Sequence, residues 1–126
     1  MNRIFAGLLC FIAVLITLNF VSCKHDVDAV MTPAISFGND VKPIISTNCT
    51  QSGCHGAVSY SGFQLLSYDD IMQFVKTGDE ATSCKLYHVI TGKSGEEIMP
   101  PSPNSPLADE QIKTILLWMK QGAINN

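Results

Sequence analysis

The segment CTQSGCH, residues 49–55, constrains the fold of this chain more than any other feature. It holds two thiols, Cys49 and Cys54, and it sets His55 directly after the second one. In an exported protein this order of residues signals covalently attached c-type haem, for which the usual pattern is C-x-x-C-H. The interval between the thiols is wider here, and Gly53 permits the loop to bulge over the extra residues.

Haem attachment explains why these residue types belong together. Two thiols add across the two vinyl groups of the porphyrin, and the histidine that follows the second thiol binds the iron. The motif therefore predicts haem held by Cys49, Cys54 and His55. Two other interpretations use the same residues. The thiols could close a small disulfide loop in an oxidising compartment, or they could bind zinc, which is less favoured because no second Cys/His pair follows at ligand spacing.

The N-terminus predicts export and a lipid anchor. Arg3 precedes an apolar run, residues 4–18, that has the length of a signal-peptide core and is too short for a confident membrane span. The run ends in NFVSC, which resembles a bacterial lipobox whose cysteine, Cys23, is acylated. The alternative is ordinary signal-peptidase cleavage nearby, which leaves Cys23 as a free thiol. We expect a location in the bacterial cell envelope, on the periplasmic or outer-membrane side.

The chain divides into three predicted parts. We predict a lipoprotein signal peptide over residues 1–22, a flexible tether over 23–36 and one domain over 37–126. Without Arg3 the chain has seven Lys and Arg against eleven Asp and Glu, a net charge of −4. This balance argues against nucleic acid as a partner.

Four helices are predicted in the domain. The first begins with Asn39 or Asp40 as its N-cap. The second opens at a Ser67/Asp70 capping box and continues to about residue 76, with Gly78 as its C-terminal cap. The third covers about residues 83–91 and ends at Gly92. The last shows helical spacing of apolar side chains, at Ile112, Ile115, Leu116 and Met119, and it ends at Gly122.

Four segments carry a family resemblance, and they occur in a fixed order: FGNDVKPIISTNC, CHG, SCKLYHVI leading to IMPP, and LADEQIKTILLWMKQGA. From about Phe37 onward the chain resembles a small bacterial class I cytochrome c domain, of the group found in planctomycete and Bacteroidetes envelope proteins. The resemblance implies an all-α fold in which the N- and C-terminal helices pack together around one covalently bound haem c.

The resemblance also implies that Met99, in the IMPP loop, is the sixth ligand of the iron. A thioether is a soft neutral ligand that favours ferrous haem, and Pro100 stiffens the loop after it. His88 is the competing ligand, but the apolar periodicity around it turns it outward. Weaker candidates are Met72, Met119 and His25. Cys84, the cysteine left over, is expected to be a buried apolar residue, although a disulfide to Cys49 or Cys54 is the alternative.

These features favour an electron carrier over an enzyme. The predicted function is electron transfer by a lipid-anchored monohaem cytochrome with His/Met-ligated iron, between a protein donor and a protein acceptor. One alternative is a haem peroxidase or gas-binding sensor in which Met99 does not bind the iron. The other is a haem-free interaction lipoprotein closed by a Cys49/Cys54 disulfide. We identify no catalytic triad, phosphate loop or paired acids that indicate a separate active site.

Overall fold

The computed structural model describes residues 33–58 and 62–126. The described residues contain helices and no strand, which confirms the predicted all-α class. The predicted signal peptide and Cys23, the predicted site of lipid attachment, lie outside the described residues. The elements, in chain order, are a π-helical turn Phe37–Val41, α1 Lys42–Asn48, α2 Tyr68–Met72, a 3-10 segment Gly78–Ser83, α3 Lys85–Thr91, a 3-10 turn Lys93–Gly95 and α4 Asp109–Lys120.

The first helical segment begins earlier than the sequence predicted. Ser36 is its N-cap, and the Ser36 hydroxyl accepts a hydrogen bond from the backbone N–H of Asn39. The Asp40 carboxylate accepts in return from the N–H of Ser36, at 2.8 Å. This reciprocal pair satisfies donors that a helix start leaves unpaired, so the first turn forms at Phe37. Pro43 lies in the first turn of α1, as expected.

The capping box of α2 is confirmed, but the helix is shorter than predicted. The Ser67 hydroxyl accepts from the Asp70 N–H at 3.1 Å, and the Asp70 carboxylate accepts from the Ser67 N–H at 2.9 Å. After Met72 the backbone tightens into 3-10-type hydrogen bonds, with the N–H of Phe74 bonded to the Ile71 carbonyl. Residues 73–76 therefore lie outside α2, although the sequence predicted them to be helical. The predicted cap, Gly78, begins the 3-10 segment instead of ending α2.

The third helix has clear limits at both ends. Cys84 is its N-cap, and its sulfur accepts from the backbone N–H of Tyr87 at 3.5 Å. Gly92 ends the helix in the left-handed conformation, at φ +64°, as predicted. Leu86 and Ile90 are buried, and His88 is half-buried.

The last helix packs against the first helical segment. Trp118 of α4 is 1% exposed, and its ring centroid lies 5.5 Å from that of Phe37. Tyr68 completes this aromatic cluster, with its ring edge against Phe37 at 5.1 Å. The cluster joins the first helical segment, α2 and α4, so the first and last elements of the described domain both pack against α2. The same hydrophobic core contains other fully buried side chains, namely Val41, Ile45, Ile90, Ile115 and Met119.

Part of the predicted tether also contacts this end of the molecule. The Ile35 N–H donates to the side-chain oxygen of Gln121 at 2.8 Å, and the Gln121 amide donates to the Pro33 carbonyl at 3.1 Å. Residues 33–36 are thus held beside the end of α4. Within residues 33–58 and 62–126, no helix is long and apolar enough to cross a membrane.

Candidate functional site

A mainly apolar cavity of about 320 Å³ lies between the loop after α1, α2, α3 and the segment before the last helix. Three residues from the sequence prediction line it: Cys49, His55 and Met99. Its apolar wall is completed by Phe63, Leu65, Ile71, Phe74, Leu86, Val89 and Ile90. Polar groups come from Lys85, Glu96 and Glu97. The volume lies at the lower end of the range found for small-molecule and cofactor sites.

The loop after α1 brings His55 back to Cys49. Cys49 follows the last residue of α1 and donates its N–H to the Ile45 carbonyl at 2.8 Å. Its own carbonyl accepts from the His55 N–H at 2.9 Å, and the Cys54 N–H bonds to the Gln51 carbonyl at 2.9 Å. Gly53 has φ +85°, a left-handed conformation that suits glycine. The wider interval between the thiols is therefore accommodated by a hydrogen-bonded bulge.

Gly56 permits the close packing of this loop. A Cβ atom at this position would lie 2.3 Å from the Thr50 carbonyl oxygen, closer than any side chain tolerates. Further along the chain, Leu65 donates its N–H to the His55 carbonyl at 2.9 Å. The backbone on both sides of His55 is thus fixed by hydrogen bonds.

The imidazole of His55 belongs to a short aromatic stack. Its ring lies 4.3 Å from that of Phe63, with an interplanar angle of 23°. Phe63 in turn lies 4.8 Å from Phe74, the second residue after α2. The stack restricts how the imidazole can turn at the cavity wall.

Met99 lines the same cavity but belongs to the segment between α3 and α4. Its backbone N–H donates to the Val89 carbonyl of α3 at 2.8 Å. Its side chain is half-buried, and both Val89 and Met99 line the cavity. The structure therefore brings a thioether and an imidazole, 44 positions apart in sequence, to one apolar cavity.

The two cysteines of the motif differ in environment. Cys49 is 9% exposed and lines the cavity, whereas Cys54 is half-buried and is not among the lining residues. Burial raises the pKa of the Cys49 thiol to about 11, and the negative charge of a neighbouring Cys54 thiolate adds to the rise. Neither thiol is in a disulfide within the described part of the chain.

The rival ligands lie elsewhere. The His88 ring is not at the cavity wall, and its Nε2 lies 3.4 Å from the Ser94 hydroxyl. Met119 is fully buried against Cys84, with the two sulfurs 3.7 Å apart. Met72 is half-buried and does not line the cavity, and His25 lies outside the described residues. Cys84 is 2% exposed, which confirms the expected buried position.

Sequence reasoning missed several residues of the cavity. Phe63 follows the motif without any periodic pattern, so no local signal marks it. Lys85 and Glu96 form an ion pair across 11 positions, and no sequence motif singled out either residue. Ion pairs between separate segments depend on tertiary packing, which sequence spacing does not encode.

Across the part of the chain that the structure describes, no three His, Cys, Asp or Glu side chains come together as a metal site. Comparison of the chain with protein-family models, with curated proteins and with solved structures found no match.

Proposed function

We propose that this chain is a lipid-anchored, monohaem c-type cytochrome that transfers electrons in the bacterial cell envelope. The observation that carries the proposal is the shared cavity. His55, Met99 and Cys49 come from two distant segments, and all three line it. Lipid at Cys23 would keep the carrier at a membrane surface.

The residues of the cavity fit haem c in chemistry. An imidazole and a thioether are the donor pair of His/Met-ligated cytochromes. The surrounding wall is formed largely by apolar and aromatic side chains, which suits a porphyrin. Cys54 precedes His55 directly, so its thiol belongs to the same fixed loop. The packing of Phe37 on Trp118 also supports the finer proposal of a class I cytochrome c fold.

When bound, the haem supplies an iron that gains and loses one electron. His55 and Met99 would hold the metal in both oxidation states, and the neutral sulfur of Met99 would favour the ferrous form. The largely apolar wall would limit the access of water to the bound haem, which would lower the reorganisation that accompanies a change of charge. Cys49 and Cys54 would anchor the porphyrin covalently. A protein donor and a protein acceptor are the partners that this role requires.

The test begins with the full chain, produced in a host that attaches haem c. We expect haem that stays on the denatured chain in a gel stain, and a reduced spectrum typical of a c-type cytochrome. A chain without covalent haem would overturn the proposal, and disulfide mapping of Cys49 and Cys54 would then test the haem-free alternative.

Matched variants test the individual roles. Cys84→Ala, a buried cysteine outside the cavity, should keep the covalent haem, whereas Cys54→Ala should lose one of the two thioether links. Met99→Ala should keep the haem but lose the weak red absorption band of methionine-ligated ferric haem, and it should bind carbon monoxide. Met72→Ala is its control. If the unaltered protein already lacks the band and binds carbon monoxide, Met99 is not a ligand and the sensor or peroxidase alternative is favoured.

A further inference from the structure

The segment between α3 and Met99, residues 92–99, turns back on α3. Gly92, Ser94 and Gly95 all have positive φ values, of +64°, +58° and +73°. Three left-handed residues within four positions reverse the chain sharply. Because of this reversal, the segment runs back along α3, and the Met99 N–H can donate a hydrogen bond to the backbone of that helix.

Side-chain contacts fasten the segment to the helix. Lys93 lies over the Tyr87 ring, 5.1 Å from its centroid, and its Nζ donates to the Tyr87 hydroxyl at 3.2 Å. The remaining charged contact is an ion pair between Lys85 and Glu96. It joins the first residue of α3 to the position three residues before Met99.

The Lys85–Glu96 pair is distinctive because of its position. Both side chains line the cavity that Met99 and His55 also line. Lys85 is the first residue of α3, where the partial positive charge of the helix start disfavours a cation. The negative charge of Glu96 offsets this unfavourable interaction. Glu96 is also the less exposed partner, at 33% against 53% for Lys85.

We propose that Lys85 and Glu96 are a positioning pair that holds residues 92–99 on α3 and thereby keeps the Met99 thioether at the cavity wall. The pair would influence a bound haem iron only through Met99. Its consequence for iron ligation rests on the proposed function. Its effect on the placement of Met99 does not.

Amide hydrogen exchange of the full chain tests the placement. The Met99 N–H is the reporter, because it bonds to the Val89 carbonyl only while the segment lies on α3. Lys85→Gln and Glu96→Gln should each raise its exchange rate about two- to fivefold, the range expected for a partly exposed ion pair. The double variant should exchange no faster than the single variants, because the second substitution has no pair left to break.

Lys76→Gln is the matched control, since it breaks a second exposed Lys–Glu pair, with Glu80 at 3.2 Å, away from the cavity. It should leave Met99 exchange unchanged. Unchanged exchange in Lys85→Gln and Glu96→Gln, additive effects in the double variant, or an equal rise in Lys76→Gln would each overturn the proposal.

A second readout applies to the haem-bearing chain. The ferric methionine band should weaken in Lys85→Gln and Glu96→Gln and stay unchanged in Lys76→Gln, while the amount of covalent haem stays the same. An unchanged band in Glu96→Gln would refute the consequence for ligation. If the chain carries no haem, the proposed function fails, and Met99 exchange still decides whether the pair positions this segment.

Discussion

At Gly56 a Cβ atom would lie 2.3 Å from the Thr50 carbonyl oxygen and 3.1 Å from its carbon. Backbone atoms cannot swing aside as a side chain does, so Gly56→Ala must displace the loop that carries Cys49 and His55. We expect a loss of about 1–3 kcal/mol in the free energy of unfolding, as for other overpacked sites. Urea unfolding of the full chain measures it. Ala57→Ser, at the exposed neighbouring position, is the control, and equal midpoints for both variants would contradict the prediction.

The buried thiol of Cys49 predicts a pH dependence. Its pKa rises from 9.0 to about 11 on folding, chiefly through burial, so the unfolded chain releases this proton first as the pH rises. The stabilising contribution is therefore complete below pH 9 and is lost between about pH 9 and 11. The difference amounts to about 3 kcal/mol.

Urea unfolding of chain produced without haem, measured from pH 8 to 11, checks this effect. The fall in stability should be steeper in the unaltered chain than in Cys49→Ala, because other groups titrate equally in both. Parallel curves for the two proteins would show that Cys49 does not couple to folding.

At the scale of elements, the start of α2 depends on its capping box. Ser67→Ala removes the acceptor of the Asp70 N–H and should destabilise the chain by about 1 kcal/mol in urea unfolding. Ser46→Ala, at an exposed position inside α1, should have little effect. A midpoint unchanged by Ser67→Ala would mean that water replaces the cap without loss.

The Ser67/Asp70 capping box also predicts how the stability of the chain changes at low pH. Hydrogen bonds from Ser67, first through its side chain and then through its backbone, lower the pKa of the Asp70 carboxyl. A lowered pKa contributes stability above the unfolded value that is lost as the pH falls through the folded value. The effect of Ser67→Ala should therefore diminish in acid.

The elements also show where sequence reasoning succeeds. The capping box of α2 and the glycine stop of α3 involve residues a few positions apart, so they could be predicted from local chemistry. The end of α2 could not be predicted in this way. Just after the helix, the Phe74 carbonyl accepts a hydrogen bond from the N–H of Leu86, which belongs to α3, so this end depends on tertiary contacts. The early helix start had a local signal, the Ser36 and Asp40 pair, although Asn39 or Asp40 was the expected N-cap.

At the scale of the molecule, the cavity depends on packing that no local pattern encodes. The motif singled out Cys49 and His55, and the family resemblance singled out Met99. Spacing alone does not predict that these residues line one cavity, because the α3 backbone holds Met99 there. Phe63 had no signal at all, since its role depends on stacking against His55.

The contact between the first and last helical segments should control the stability of the whole chain. Trp118 packs on Phe37, lies edge-on to Tyr68 and donates its indole N–H to the Ile124 carbonyl at 3.0 Å. Trp118→Ala leaves a large void at this junction, and we expect a loss of about 3–5 kcal/mol in the free energy of unfolding. Trp118→Phe should lose less, because it keeps a ring against Phe37.

Leu117→Ala is the control for Trp118→Ala, because Leu117 is a half-buried apolar residue of the same helix. Urea unfolding gives the size of each loss, and amide exchange at Val41 and Ile115 gives its extent. If the junction couples the two segments, Trp118→Ala should speed exchange at both positions together, since each lies fully buried on one side of it. Faster exchange at Ile115 alone would mean that α4 loosens without the first segment, and that the two ends of the domain unfold independently.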